Sequence, residues 1–211
     1  DTYEFLYNSE IWNKISLPTK HFISSIRDLE TINPPQYFQN IESIVIANIK
    51  SFITLLSKRL KLIYKNVLVR PEPLFCDVNV AADLLLNEFV EKVKESESLI
   101  YIAGGEVTCE PTKKSEGGRC QHFVSLLITK TTNINPLYCF AFATDGEDYI
   151  KNVGGAFISP STYHKCLKMK LDYGNLILNY NSNILLSAID HLFKNVPYNI
   201  NLGDIYMICK H

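Results

Sequence analysis

Three short polar clusters carry the side chains in this sequence best equipped for chemistry: Gly104-Gly105-Glu106, Gly117-Gly118-Arg119 and Thr144-Asp145-Gly146-Glu147-Asp148. Glycine pairs allow close approach of a ligand to the backbone, and they serve an ordinary tight turn equally well. Arg119 at the start of a helix would add a forked donor to amides that already attract anions, which suits phosphate or carboxylate. Asp145 and Asp148 could hold Mg²⁺ on a nucleotide or act as a general base; Asp and Gly also suit a plain turn. Cys109, Cys120 and His122 are close in sequence, but a fourth ligand and ligand spacing are missing, so zinc is not expected. The pattern GxxxxGK[ST] is absent, so any nucleotide site must be of another kind. His191 reads as a surface or satisfied core histidine.

The elements that must position these clusters follow from periodicity. Ile44–Ala47, Asn66–Val69, Leu99–Ala103, Glu106–Glu110, Leu137–Ala143 and Ile205–Cys209 read as strands. Asn48 can cap a helix carrying Ile49, Phe52, Ile53, Leu56, Leu60 and Ile63 on one face, and Asp77 or Asn79 can cap a second. A third helix runs from about Arg119 to Lys130, and Asn183 is placed to cap a fourth through Leu192. Up to Ala103 the alternation is βαβαβ, which predicts parallel strands with right-handed crossovers. Ligand sites in such sheets lie beyond the carboxyl ends of strands, where two of the clusters fall. Ahead of this, Ile11–Ile15 and Phe22–Leu29 read as short amphipathic helices stopped by Asn33-Pro34-Pro35.

Twenty-one basic and 22 acidic residues in 211 give a net charge of -1 with no like-charged block, so neither nucleic acid nor an anionic membrane is implied. No apolar run approaches the roughly 20 residues needed to cross a bilayer. Six scattered cysteines without CxxC spacing suggest free thiols and a cytoplasmic setting. Opening at Asp1 without an initiator Met suggests a fragment or a processed product.

Taken in order, Gly104-Gly105-Glu106-Val107-Thr108, Gly117-Gly118-Arg119-Cys120-Gln121 and Thr144–Asp148 resemble the GGETT, GGRNQE and TDGID series of the MOFRL domain, the C-terminal half of class II glycerate kinases. Asn181-Ser182 and then Pro197, Asn201 and Asp204 are similar to worn forms of the family's DSY and GPTGTNVND signals. The resemblance implies an α/β fold, a three-layer sandwich with a six-stranded mixed sheet, preceded by a helical lead-in. Residues 1–39 would end a missing N-terminal lobe, and 40–211 would form the MOFRL-like domain.

It also implies transfer of the ATP γ-phosphoryl group to glycerate or a similar small hydroxy acid. Arg119 and Asp145 would be catalytic; Gly104, Gly105, Glu106, Thr108, Gly118 and Asn201 would bind substrate or nucleotide; Asp145 and Asp148 would hold Mg²⁺ brought with ATP. The implied partners are the small-molecule substrate, ATP and the lysine-bearing missing lobe, with a homodimer left open. Without that lobe the chain alone should not phosphorylate glycerate, and Arg119→Ala should abolish transfer with little loss of stability.

Several positions depart from the family pattern. Cys120 and His122 replace an Asn and a Glu after the arginine, Tyr149–Gly155 replaces GPTDAAG, and Val196 and Ile200 replace a glycine and a threonine. β-branched residues there would obstruct a phosphate. The alternatives are therefore a degenerate, non-catalytic domain that binds a small anion or a partner, or a structural module.

Overall fold

Pro18 and Asn48 each stand where a helix begins, on either side of a boundary dividing the chain into two units, Asp1–Val45 and Ile46–His211. The computed structural model describes residues 6–25, 42, 44–94, 98–111, 115–131, 137–194 and 200–210. The first unit holds α1 (Ile11–Lys14) and α2 (Leu17–Ser25), neither of which buries a residue. The Asn33-Pro34-Pro35 stop, Val196, Pro197 and the end of the Phe22–Leu29 helix lie outside the described residues.

In the second unit Asn48 and Ser51 cap each other reciprocally. Asn48 Oδ1 accepts from Ser51 N at 2.9 Å and Ser51 Oγ accepts from Asn48 N at 3.0 Å, starting α3 (Ile49–Leu60). Strand β1 (Val67–Val69) leads to α4 (Val78–Val93), where Asp77 accepts from Asn79 N at 2.8 Å. Then follow β2 (Leu99–Gly105), α5 (Arg119–Lys130), β3 (Tyr138–Ala143), β4 (Val153–Ile158), α6 (Thr162–Lys168), α7 (Tyr173–Leu178), α8 (Ser182–Ala188), β5 (Leu192–Lys194) and β6 (Asp204–Lys210).

The six strands form one mixed sheet in the order β1-β2-β6-β3-β4-β5. Only β1 and β2 are parallel, joined through α4; the other pairs run antiparallel. Alternation along β2 divides the core between two layers. Ile100 and Ile102 pack with Val67 and Ile53 of α3, whereas Tyr101 and Ala103 face Phe89 of α4 and Phe123 of α5. The result is the expected three-layer α/β sandwich. Among the described residues no helix is long and apolar enough to cross a membrane.

Two strand expectations fail, and two strands appear elsewhere. Ile44–Ala47 forms no strand; Ile44, Val45 and Ile46 are 72%, 74% and 94% exposed, and a β-branched run becomes a strand only with a neighbour to accept its ladder. Glu106–Glu110 runs beside residues 74–78 through a single bridge, Asp77 to Thr108, without joining the sheet as a strand. β4 was hidden because Gly154-Gly155 reads as a turn. Its glycines are required by packing, since a methyl at Gly155 would lie 2.1 Å from Ala141 O. β5 was hidden inside a helical pattern. That helix begins after Asn181 rather than Asn183, with no side-chain cap, and stops before Asp190, whose φ of 56° turns the chain into the strand. With only one crossover realised, the expected run of parallel strands reduces to the β1–α4–β2 unit.

Candidate functional site

Register gathers the three clusters at one end of the sheet. Asp204, the first residue of β6, pairs with Gly105 at the carboxyl end of β2 and with Ala143 at the carboxyl end of β3. Beside it opens a cleft of about 760 Å³ lined by Glu106, Thr108, Gly118, Arg119, Asp148 and Tyr149, among others.

Arg119 is the hinge of the electrostatics. Its Nε donates to Asp204 Oδ2 at 2.6 Å and its Nη2 to Asp204 Oδ1 at 3.0 Å, a bidentate pair, while Nη1 lies 3.2 Å from Glu106 Oε1. Asp204 is fully buried and also accepts from Tyr206 Oη at 2.8 Å. The bonds from Asp204 raise the Arg119 pKa further above its ordinary range, so the guanidinium is permanently charged. Asp204 is the residue the sequence-based site lacks. Its signal was its place at the start of the last strand.

Asp148 lies where the helix amides would otherwise meet an external anion. Its Oδ1 accepts from Cys120 N at 3.0 Å, and its Oδ2 accepts from Gln121 N at 2.8 Å and Gln121 Nε2 at 3.0 Å. The anion at the N-terminus of α5 is thus the chain's own carboxylate, attracted by the amides and the helix dipole. Gly118 makes room for it, because a methyl there would lie 2.2 Å from Asp148 Cγ, Oδ1 and backbone O. Burial pushes the Asp148 carboxyl up to about 6, against the lowering effect of the Gln121 and Cys120 bonds.

Asp145 turns inward to its own loop, with Oδ1 accepting from Glu147 N at 3.1 Å. Thr144 clasps the loop before β6: its Oγ1 donates to Gly203 O at 2.7 Å and accepts from Leu202 N at 2.8 Å. Asn201 is exposed and its Oδ1 accepts from Gly203 N at 2.9 Å. Among the described residues no three His, Cys, Asp or Glu side chains are grouped to hold a metal. Asp148 is thus committed to donors of α5, whereas Asp145 accepts from Glu147 N within its own turn.

Gly104 and Gly105 are buried beneath neighbouring backbone and side chains and do not line the cleft. A methyl at Gly105 would lie 2.2 Å from Leu74 O, and one at Gly104 would lie 2.4 Å from Ile49 Cγ1. Their role in this structure is close packing. Thr108 lines the cleft with an exposed side chain. Tyr149, where the family pattern has a glycine, holds a φ of 65° and is 81% exposed at the cleft. A bulky residue in the left-handed region stores strain at the site.

His122 replaces the family carboxylate with a buried ring. Its Nδ1 lies 3.0 Å from Ser182 Oγ, and it stacks on Tyr180 with centroids 4.2 Å apart. Burial lowers its pKa from 6.5 to about 4, so the folded ring stays neutral where the unfolded one is charged. That stability is complete above 6.5 and is lost as pH falls through about 4. Asp148, raised from 3.8 to about 6, acts in the opposite sense: its contribution is complete below 3.8 and is lost as pH rises through about 6. We expect His122→Gln, relative to the unsubstituted chain, to gain up to about 3 kcal/mol between neutral pH and pH 4. Urea unfolding of both chains across that range reads the difference, and a flat difference would refute the neutral, buried ring.

A mixed α/β sandwich whose strand ends gather an arginine, its buried carboxylate partner and a glycine-opened helix beside a polar cleft defines the class of this domain by its architecture. The chain belongs to the MOFRL family, whose model matches residues 99–204. Its fold is shared by two solved structures. A glycerate kinase from Thermotoga maritima superposes with a TM-score of 0.75 at 20% identity over 81% of this chain and 42% of that one. The PH0495 protein from Pyrococcus horikoshii OT3 has a TM-score of 0.67 at 20% identity over 97% of this chain and 48% of that one. The chain therefore spans less than half the length of either. No curated protein matches it.

Proposed function

We propose that this domain is one half of a glycerate kinase-like enzyme that transfers the γ-phosphoryl group of ATP to glycerate or a similar small hydroxy acid. The observation that carries the reading is Arg119 at the head of α5, oriented by Asp204 through two bonds and presenting Nη1 to the cleft. A guanidinium held in one orientation is preorganised for charge that develops on a transferred phosphoryl group. Tyr206 and Asp204 act as positioning residues, since they hold Arg119 without lining the cleft. Mg²⁺ enters the proposal as the counter-ion that ATP brings. The remaining machinery, including a lysine, would come from a second lobe, in a cytoplasmic protein with a homodimer as a further assembly.

A second reading has its own support. Asp148 occupies the α5 amides and Glu106 occupies Arg119, which suits a degenerate domain that binds a small anion or a partner without catalysis. A kinase assay on the full-length gene product with ATP, Mg²⁺ and a panel of small hydroxy acids separates the two. We expect transfer to at least one acid by the full-length product and none by residues 1–211 alone. Absence of transfer to every acid would favour the degenerate domain, and turnover by the isolated chain would refute the half-site.

A further inference from the structure

Arg119 serves two carboxylates of unlike standing. Asp204 is fully buried, takes the Nε and Nη2 edge of the guanidinium and is held by Tyr206, so it cannot leave without stranding a charge. Glu106 meets the remaining nitrogen, Nη1, at 3.2 Å from a side chain that is 51% exposed and lines the cleft. An exposed pair of this kind contributes little to stability and opens at small cost. The charges also do not balance: one arginine faces two carboxylates, so the closed arrangement is net negative and repels the anion that Nη1 would otherwise take.

We propose that Glu106 is a built-in competitor for the oxyanion, occupying the open nitrogen of Arg119 until a multiply charged phosphate displaces it into solvent. This inference rests on the phosphotransferase reading of the cleft and adds a selectivity to it. A lone carboxylate brings to Nη1 no more charge than Glu106 already supplies, so simple carboxylates gain little. A phosphate carrying close to two charges gains more. Glu106 thereby biases the site toward phosphate esters and polyphosphates and against the carboxyl group of a hydroxy acid, which must bind elsewhere in the cleft.

The test is titration of the chain with orthophosphate and with ADP, followed by calorimetry and by the guanidinium Nε–H signal of Arg119 in nitrogen-edited NMR. Glu106→Gln keeps the side chain's shape and removes its charge, and it should tighten both ligands about three- to tenfold with a shift of the Arg119 signal. Glu110→Gln, at another carboxylate lining the same cleft, controls for loss of charge in general and should change affinity less than twofold. Equal affinity in the unsubstituted and Glu106→Gln chains would overturn the competitor while leaving Arg119 as a phosphate site. Equal tightening by Glu110→Gln would overturn it in favour of a general charge effect. No binding to any of the three chains would overturn the competitor, while the phosphotransferase reading beneath it stands or falls by the full-length kinase assay.

Discussion

Truncating Arg119 to alanine should destabilise the Ile46–His211 unit by about 3–5 kcal/mol, measured as a shift of the urea midpoint at unchanged m-value. The cause is Asp204. It is buried without any exposed surface, and its two oxygens are neutralised by Arg119 Nε and Nη2, with a further bond from Tyr206. Removing the guanidinium leaves a buried carboxylate with only the Tyr206 hydroxyl and the weak Cys120 thiol as side-chain donors, and such a charge is far costlier than the lost pair is favourable. This reverses the expectation that Arg119→Ala would leave stability almost intact. Loss of activity in that variant is therefore no evidence of a catalytic role by itself. Adding Asp204→Asn should recover a large part of the loss, because the buried group is then neutral. A stability within about 1 kcal/mol of the unsubstituted chain, the size of an exposed pair, would refute the buried pairing.

Asp148→Ala should cost about 2–4 kcal/mol, because it removes a helix cap and strands two buried backbone donors, Cys120 N and Gln121 N, while Gln121 Nε2 keeps only its bond to Asp148 O at 2.9 Å. Cys120 N, Gln121 N and Gln121 Nε2 all point at this carboxylate. Gln121 in turn accepts from Asn183 Nδ2 at 2.8 Å, so the loss reaches the start of α8. Asp148→Asn retains one acceptor and should lose roughly half as much. A metal ligand behaves differently: its truncation leaves the apo fold intact, and Mg²⁺ raises the thermal midpoint of the unsubstituted chain alone. Finding that pattern, with apo stability unchanged by Asp148→Ala, would restore Asp148 to the metal and refute the cap.

Much of the positioning was legible in linear order. Asn48 and Asp77 cap their helices by side-chain geometry that needs only neighbours two or three residues away. β2 and β3 announce themselves as apolar runs, β2 being buried along its whole length and β3 at alternate residues. The elements that escaped depend on partners distant in sequence. Gly154 and Gly155 look like a turn until Ala141 and Phe142 are placed against them, and β5 follows a helix that ends at a left-handed Asp190.

For the site the division is sharper. The sequence by itself determined that a glycine pair, an arginine and two aspartates would share one end of an α/β sheet, because strand ends and helix starts are local properties. It could equally well assign those residues to a ligand or to one another. Tertiary structure decided that, since only the register of β6 against β2 and β3 brings Asp204 to Arg119, and only the return of the Asp145–Asp148 turn onto α5 sets a carboxylate on its amides. Long-range pairing chooses the partner of a charge, and a charge whose partner is internal holds the fold before it can serve a substrate.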